Sequence, residues 1–481
     1  MASPLLRYPD ACENFSLESR TTELATMGHH APGTGPWKYM TDAISDPGDS
    51  ARRLPRTARP FTWGFVSQVV SSVTNFGLSV LAARSLGPAG LGAVFIGFSC
   101  YLISLGLQRA LLTNPLVAES SAMDVPAQVV RTRQAFTSAL IGAALVTVAL
   151  LVAGLLLPDP FAHGAFLILP WLMPALIQDF WRTILFRDGR GRAAAINDCL
   201  WLLAMASVVP VVLESHDAWL VTGCWGLGAG TGAALGFLQT RLLPAPVGES
   251  LNWWKERIWP VARWYATGSL TYVLGAQGLV LLLPFVIGTA GLGGLRAIYV
   301  IFAPLSLIGQ ALLLPGLPEL SRRLALSRSE AMRFAIRLGA GAALLIGGYV
   351  VIAIGFRIEL LRWIFGPTFA RFQALVWPIA LSQILIAPTT AFTALLLAEK
   401  RGRALLIGQI AGSVITLGLG ISLAAATGPS GAAWGMATGS TLQGLTVTIL
   451  ALRPGRPGSS SFEVPRPQEQ MPANYTGREE V

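Results

Sequence analysis

Apolar residues fall along this chain in twelve stretches of roughly 20, the length that crosses a bilayer as a helix. The stretches run 61–83, 91–113, 134–157, 165–186, 193–213 and 219–240, then 264–287, 292–314, 334–356, 373–397, 405–425 and 431–452. Within each, apolar positions are continuous rather than alternating. That excludes the strands of a barrel and leaves helices, whose backbone groups are satisfied internally in hydrocarbon. The pattern predicts an all-α membrane protein with about twelve transmembrane helices. Residues 1–60 and 453–481 are rich in Pro, Gly, Ser and charge, without an apolar core behind a basic start. They are expected to be disordered tails, and the first is not expected to act as a signal peptide.

The stretches repeat. Ala-Gly-Leu-Gly at 89–92 returns at 290–293, each time opening the second helix of a half. Ala110-Leu111-Leu112 returns at the same offset as Ala311-Leu312-Leu313. Arg-Gly-Arg-Ala-Ala-Ala-Ile at 190–196 returns as Arg-Gly-Arg-Ala-Leu-Leu-Ile at 401–407, linking the fourth and fifth helices of each half. The expected architecture is two six-helix lobes, 61–240 and 264–452, joined by a linker at 241–263. An even number of spans per half makes the repeats parallel, related by an axis along the membrane normal. In the linker, Trp residues flank Lys255 and Arg257, the pattern of a short helix at headgroup level.

Composition agrees: 53% of residues are hydrophobic and 12% charged, against about 25% charged in soluble domains. The formal charge of +10 is distributed by membrane side, not gathered on one soluble face, so nucleic acid is not an expected partner. The tails and the loops on their side hold 27 of the 35 Lys and Arg residues, against five on the opposite side. Both termini are therefore expected in the cytoplasm of a bacterial plasma membrane. The loop at 357–372, with three Arg and one Glu, strains that rule. Cys12, Cys100, Cys199 and Cys224 lack paired spacing, so neither a disulfide framework nor a metal site is expected, and no motif calls for a cofactor.

Three segments carry a resemblance: ARSLGPAGLG (83–92), LLRWIFGPTFARF (360–372) and GPSGAAWGMATG (428–439). They resemble, in order and at matching helix ends, segments of the polysaccharide-biosynthesis flippases, within the multidrug/oligosaccharidyl-lipid/polysaccharide exporter superfamily. The resemblance covers 61–452. It implies two six-helix lobes around a central cavity that move a polyprenyl-pyrophosphate-linked oligosaccharide to the outer leaflet by alternating access. It also implies membrane lipids and a glycan polymerase or glycosyltransferases as partners. The long N-terminal tail departs from the family pattern.

Polar groups inside spans mark a pathway or a packed contact. Gln68, Ser72, Asn75 and Ser79 share one face of the first helix; Ser99, Gly106, Arg109 and Thr113 share one of the second. Arg263, Thr267 and Thr271 line up on the seventh helix, and Arg296, Tyr299, Ser306 and Gln310 on the eighth. In the resembled family these helices border the cavity. Arg109 and Arg296 are the candidate pyrophosphate contacts, because a guanidinium fork binds two oxygens and stays charged. Arg84 and Arg263 are secondary candidates that could equally be snorkelling anchors. Asp179 is expected to pair with Arg182 three residues on, and Asp198 to reach Arg182 across the short loop. The first helix has no Asp or Glu, which disfavours a cation-coupled exporter of small amphiphiles. The one acid in the longest outer loop, Glu359, gives no catalytic pair, so no enzyme is expected.

Overall fold

A computed structural model describes residues 59–120 and 123–453, except the side chains at 59–61, 264, 267–272, 274, 276 and 310–315. The expected tails lie, apart from their junctions, outside the described residues. The first half folds as α1 (59–86), α2 (88–120), α3 (Val125–Leu156), α4 (Phe161–Arg187), α5 (191–215) and α6 (Ala218–Thr240). The second folds as α7 (Trp259–Leu282), α8 (289–326), α9 (Arg328–Gly355), α10 (376–398), α11 (Gly402–Thr427) and α12 (Pro429–Leu452). Length and hydropathy alone select eight membrane-crossing helices among the described residues, or nine with the bent α5. The count reaches twelve because α1 and α2 are two helices parted only by the break at Gly87, with no loop between them, and because α7 and α12 are richer in Gly, Ser, Thr and Gln. The chain is an all-α, multi-pass membrane protein.

Local chemistry sets the breaks. Gly87 (φ 69°) ends α1 and Gly288 (φ 71°) ends the α7 segment at the equivalent point. Both take the left-handed conformation that only glycine adopts without cost. Pro210 removes a backbone donor, and α5 bends by 43° there. Asp124 caps α3 by accepting from the Ala127 N–H (3.3 Å), and Ser327 caps α9 from the Glu330 N–H (3.2 Å). Those caps explain why α3 and α9 start earlier than the apolar pattern predicts. Likewise α8 runs on to Leu326, supported by Glu319 pairing with Arg322 and Arg323 one turn away. Helices here outlast the hydrocarbon because polar turns with their own caps and ion pairs continue them.

The linker also differs in form. A connector helix (Val247–Trp253) passes through a π turn (Trp254–Ile258) straight into α7, rather than forming a separate short helix. Its approach is strapped to α3, where Thr137 Oγ1 donates to the Ala245 carbonyl (2.8 Å) and Arg133 Nε to that of Leu243 (3.1 Å). The Arg-Gly-Arg repeat has a common purpose: Arg190 donates to the Gln239 carbonyl at the end of α6 (3.0 Å), and Arg401 to that of Arg453 at the end of α12 (2.9 Å). In each lobe the first arginine satisfies an orphan carbonyl of the last helix.

Candidate functional site

The two lobes meet at the side opposite the basic loops through their repeated turns. A Cβ on Gly92 would collide with the Thr289 carbonyl, and one on Gly293 with that of Pro88. The contacts are reciprocal, so the two Ala-Gly-Leu-Gly segments cross backbone against backbone about the axis relating the lobes. One turn deeper, the equivalent positions are Phe95 and Arg296. The Arg296 guanidinium lies 4.4 Å from the Phe95 ring centroid and 5.8 Å from that of Phe98, and Nη2 donates to Ser79 Oγ (3.1 Å). It makes no salt bridge with any described carboxylate. Residues 291–302 of α8 are buried or half-buried, whereas Ala303, Pro304 and Ser306 are exposed.

Arg109 lies toward the other end, where α2 forms a π turn (Arg109–Thr113) and then continues to Ser120. The turn has a sequence cause. Pro115 offers no N–H to the Leu111 carbonyl, which instead accepts from Trp254 Nε1 of the connector (3.0 Å). At 1.5 Å per residue, Arg109 and Arg296 sit about 20 Å apart in depth. The structure corrects the expected Asp179–Arg182 pair: Asp179 instead holds Arg109 in a bidentate bridge, Nε to Oδ2 at 3.0 Å and Nη2 to Oδ1 at 2.5 Å. Residues three apart are displaced by about 60° around a helix, so Asp179 faces α2 while Arg182 faces α1 and α5. Arg182 does reach Asp198 (3.1 Å), as expected.

That second bridge sits in a wider network. Ser67 Oγ donates to Asp198 Oδ2 and accepts from Arg182 Nη2 (2.8 Å). Gln178 donates to Asp198 Oδ1 and Asn197 Oδ1 (both 3.1 Å), and Asn197 Nδ2 to the Gly232 carbonyl (2.8 Å). Ser67, Gln178 and Asn197 are not among the residues selected from sequence. The adjacency of Asn197 and Asp198 in an apolar span was the available signal. Of the other candidates, Gln68 and Asn75 are half-buried on α1, and their carbonyls accept from Ser72 (2.8 Å) and Ser79 (2.9 Å). Arg84 is exposed and tied to the second lobe by Nε to the Ile364 carbonyl (2.9 Å) and Nη2 to that of Trp363. Arg263 is exposed near the start of α7; Gln310 occupies the position on α8 equivalent to Arg109.

No protein-family model and no curated protein matches the chain. Solved structures do. A multidrug resistance MATE family transporter of the MOP superfamily, inward-facing, superposes with a TM-score of 0.63 at 12% identity, covering 80% of this chain and 93% of its own. The lipid II flippase MurJ, in an inward closed conformation, gives the same score and identity over 81% and 87%. A MOP superfamily transporter from Pyrococcus furiosus gives 0.55 at 13% identity over 81% and 93%. The chain thus has the two-lobed, twelve-helix fold of the MOP superfamily.

Proposed function

We propose that this protein is a flippase carrying a polyprenyl-pyrophosphate-linked oligosaccharide from the cytoplasmic to the outer leaflet of a bacterial plasma membrane, for cell-surface polysaccharide synthesis. The tails and basic loops are cytoplasmic in this reading, and the Ala-Gly-Leu-Gly seam closes the outer end. The observation that carries it is the pair of arginines at two depths between the lobes. Among the described residues Arg296 has rings and one hydroxyl around it but no carboxylate, an environment that an anion would complete. Arg109 uses one edge of its guanidinium on Asp179, and its side chain is 42% exposed, leaving the other edge for a phosphate. Passing the diphosphate from Arg109 to Arg296 as the lobes rock would offset part of its desolvation at each side. The work is translocation, without bond chemistry. A cation-coupled exporter of small amphiphiles is the second reading, since the multidrug transporter superposes as well as the flippase. Against it, both carboxylates inside the spans, Asp179 and Asp198, are occupied by arginine.

The test is surface glycan in a strain lacking the native gene. Arg109→Ala, combined with Asp179→Asn so that no buried carboxylate is left unpaired, and Arg296→Ala should each abolish export while the protein remains in the membrane, and lysine at either position should restore only part, since a point charge lacks the fork. Normal export by both alanine variants would sink the relay. Drug efflux with no glycan defect would favour the exporter.

A further inference from the structure

Between α9 and α10, three helical turns (Arg357–Leu360, Leu361–Phe365 and Pro367–Leu375) lie where both helices leave the apolar layer. The strip is two-faced. Leu361, Phe365, Phe369, Phe372 and Leu375 are buried, their three rings stepping at 5.6 and 6.2 Å. Arg362, Trp363 and Arg371 point outward, with Trp363 78% exposed. The strip is firmly seated: Phe372 fills the space beside Gly294, and Arg84 of the other lobe binds two of its carbonyls.

Its arginines outnumber its acids three to one. Among the described residues Arg357, Arg362 and Arg371 make no salt bridge, and neither does Glu359, the only acid in the strip. On the opposite side of the protein, Arg187, Arg322, Arg323, Arg328 and Arg401 have carboxylate partners, while Arg131, Arg133 and Arg190 are held by an amide or by backbone carbonyls. Arg371 rests on the Phe372 ring (4.8 Å) and Arg357 donates to the Ile354 carbonyl (3.0 Å), contacts that leave the positive charges without a counter-ion. Guanidinium groups lacking a carboxylate beside an exposed indole, at headgroup depth, match lipid phosphate in charge and the interfacial layer in polarity.

We infer that residues 357–375 form a binding surface for anionic phospholipid headgroups of the leaflet on that side. Arg362 and Arg371 contact the phosphate, and Trp363 lies in the interface. The inference does not depend on the transport reading. In titrations of the delipidated full-length protein, followed by native mass spectrometry, phosphatidylglycerol should be retained over phosphatidylcholine. Arg362→Gln with Arg371→Gln should weaken that retention by about fivefold per arginine. Arg322→Gln with Arg333→Gln, on the other face, should leave this retention in place. A folded 362/371 double variant that binds phosphatidylglycerol like the wild type would overturn the inference. So would farnesyl pyrophosphate displacing phosphatidylglycerol from the wild type but not from the double variant, since the surface would then serve a lipid pyrophosphate. A wild-type measurement covers the case in which the variant does not fold. Amide exchange at 357–375 should slow in nanodiscs containing phosphatidylglycerol relative to phosphatidylcholine alone, and equal exchange in both would also overturn it.

Discussion

Asp179 and Asp198 illustrate how one kind of ion pair differs in worth with its surroundings. Arg182, the partner of Asp198, has 17% of its side chain exposed, whereas Arg109, the partner of Asp179, has 42%. Removing the counter-charge of a buried cation costs about 3–5 kcal/mol, and less when the cation can turn to water. Asp198→Asn should therefore destabilise the protein by about 3–5 kcal/mol, and Asp179→Asn by about 1–2 kcal/mol. Thermal unfolding in detergent measures both, and a larger loss for Asp179→Asn would contradict the ranking. Glu319 behaves differently because it lies beyond the spans. Hydrogen bonds from Arg322 and Arg323 hold its carboxyl down to about 2, below the ordinary 4.5. A depressed carboxylate stabilises above its ordinary value and loses that contribution as pH falls toward 2. Amide exchange in the last turns of α8 should accordingly quicken as pH drops from 4.5 toward 2, after correction for intrinsic rates, and should be flat over that range in Glu319→Gln. At this scale the sequence disclosed which residues are costly to bury and one of the two pairings, Asp198 with Arg182 across a short loop, but not the other. Asp179 finds Arg109 seventy positions away in another helix, and a three-residue spacing could not reveal that the two side chains of α4 diverge.

The elements were far more legible. Bilayer thickness imposes a length on each apolar run, so all twelve helices could be read directly. Their ends could not, because capping by Asp124 and Ser327 and charge pairing on α8 extend helices where hydropathy has already fallen. The π turn on α2 is a case where one residue type decided the outcome: Pro115 withholds a donor, and Trp254 supplies it from the connector. The meeting of α2 with α8 was legible only as a repeat, since nothing in a repeated tetrapeptide says that its two copies touch. The touch has a measurable consequence. A methyl at Gly293 cannot coexist with the Pro88 carbonyl, so Gly293→Ala should hold this end of the lobes apart. In a chain whose native cysteines are replaced, a cysteine at the buried Ser99 should resist an impermeant maleimide from that side. Adding Gly293→Ala should make it react; protection unchanged at normal abundance would show that the seam does not close the path.

Across the whole molecule, the repeats mark the two places where the lobes are finished. Arg190 and Arg401 close the basic end of each lobe upon itself, and Gly92 and Gly293 bring the lobes together at the other end. Sequence disclosed the duplication, and with it the parallel topology, because matching motifs fall at matching helix ends. It did not disclose the contact at the axis, which depends on how two lobes are set against each other. That contact has the reciprocity of a dimer in which each copy offers the same patch to the other. Two unlinked copies of a six-helix half could have built it. Such a pair, however, would be obliged to present the same side chain twice at the axis: ring to ring from two copies of Phe95, or cation to cation from two copies of Arg296, the latter repelling without an anion between them. Joining the halves in one chain lifts that obligation. One half can keep the ring while the other acquires the guanidinium that rests on it, 4.4 Å away. The asymmetry at the centre of this protein is thus a freedom that duplication followed by fusion grants and that a symmetric ancestor would have lacked.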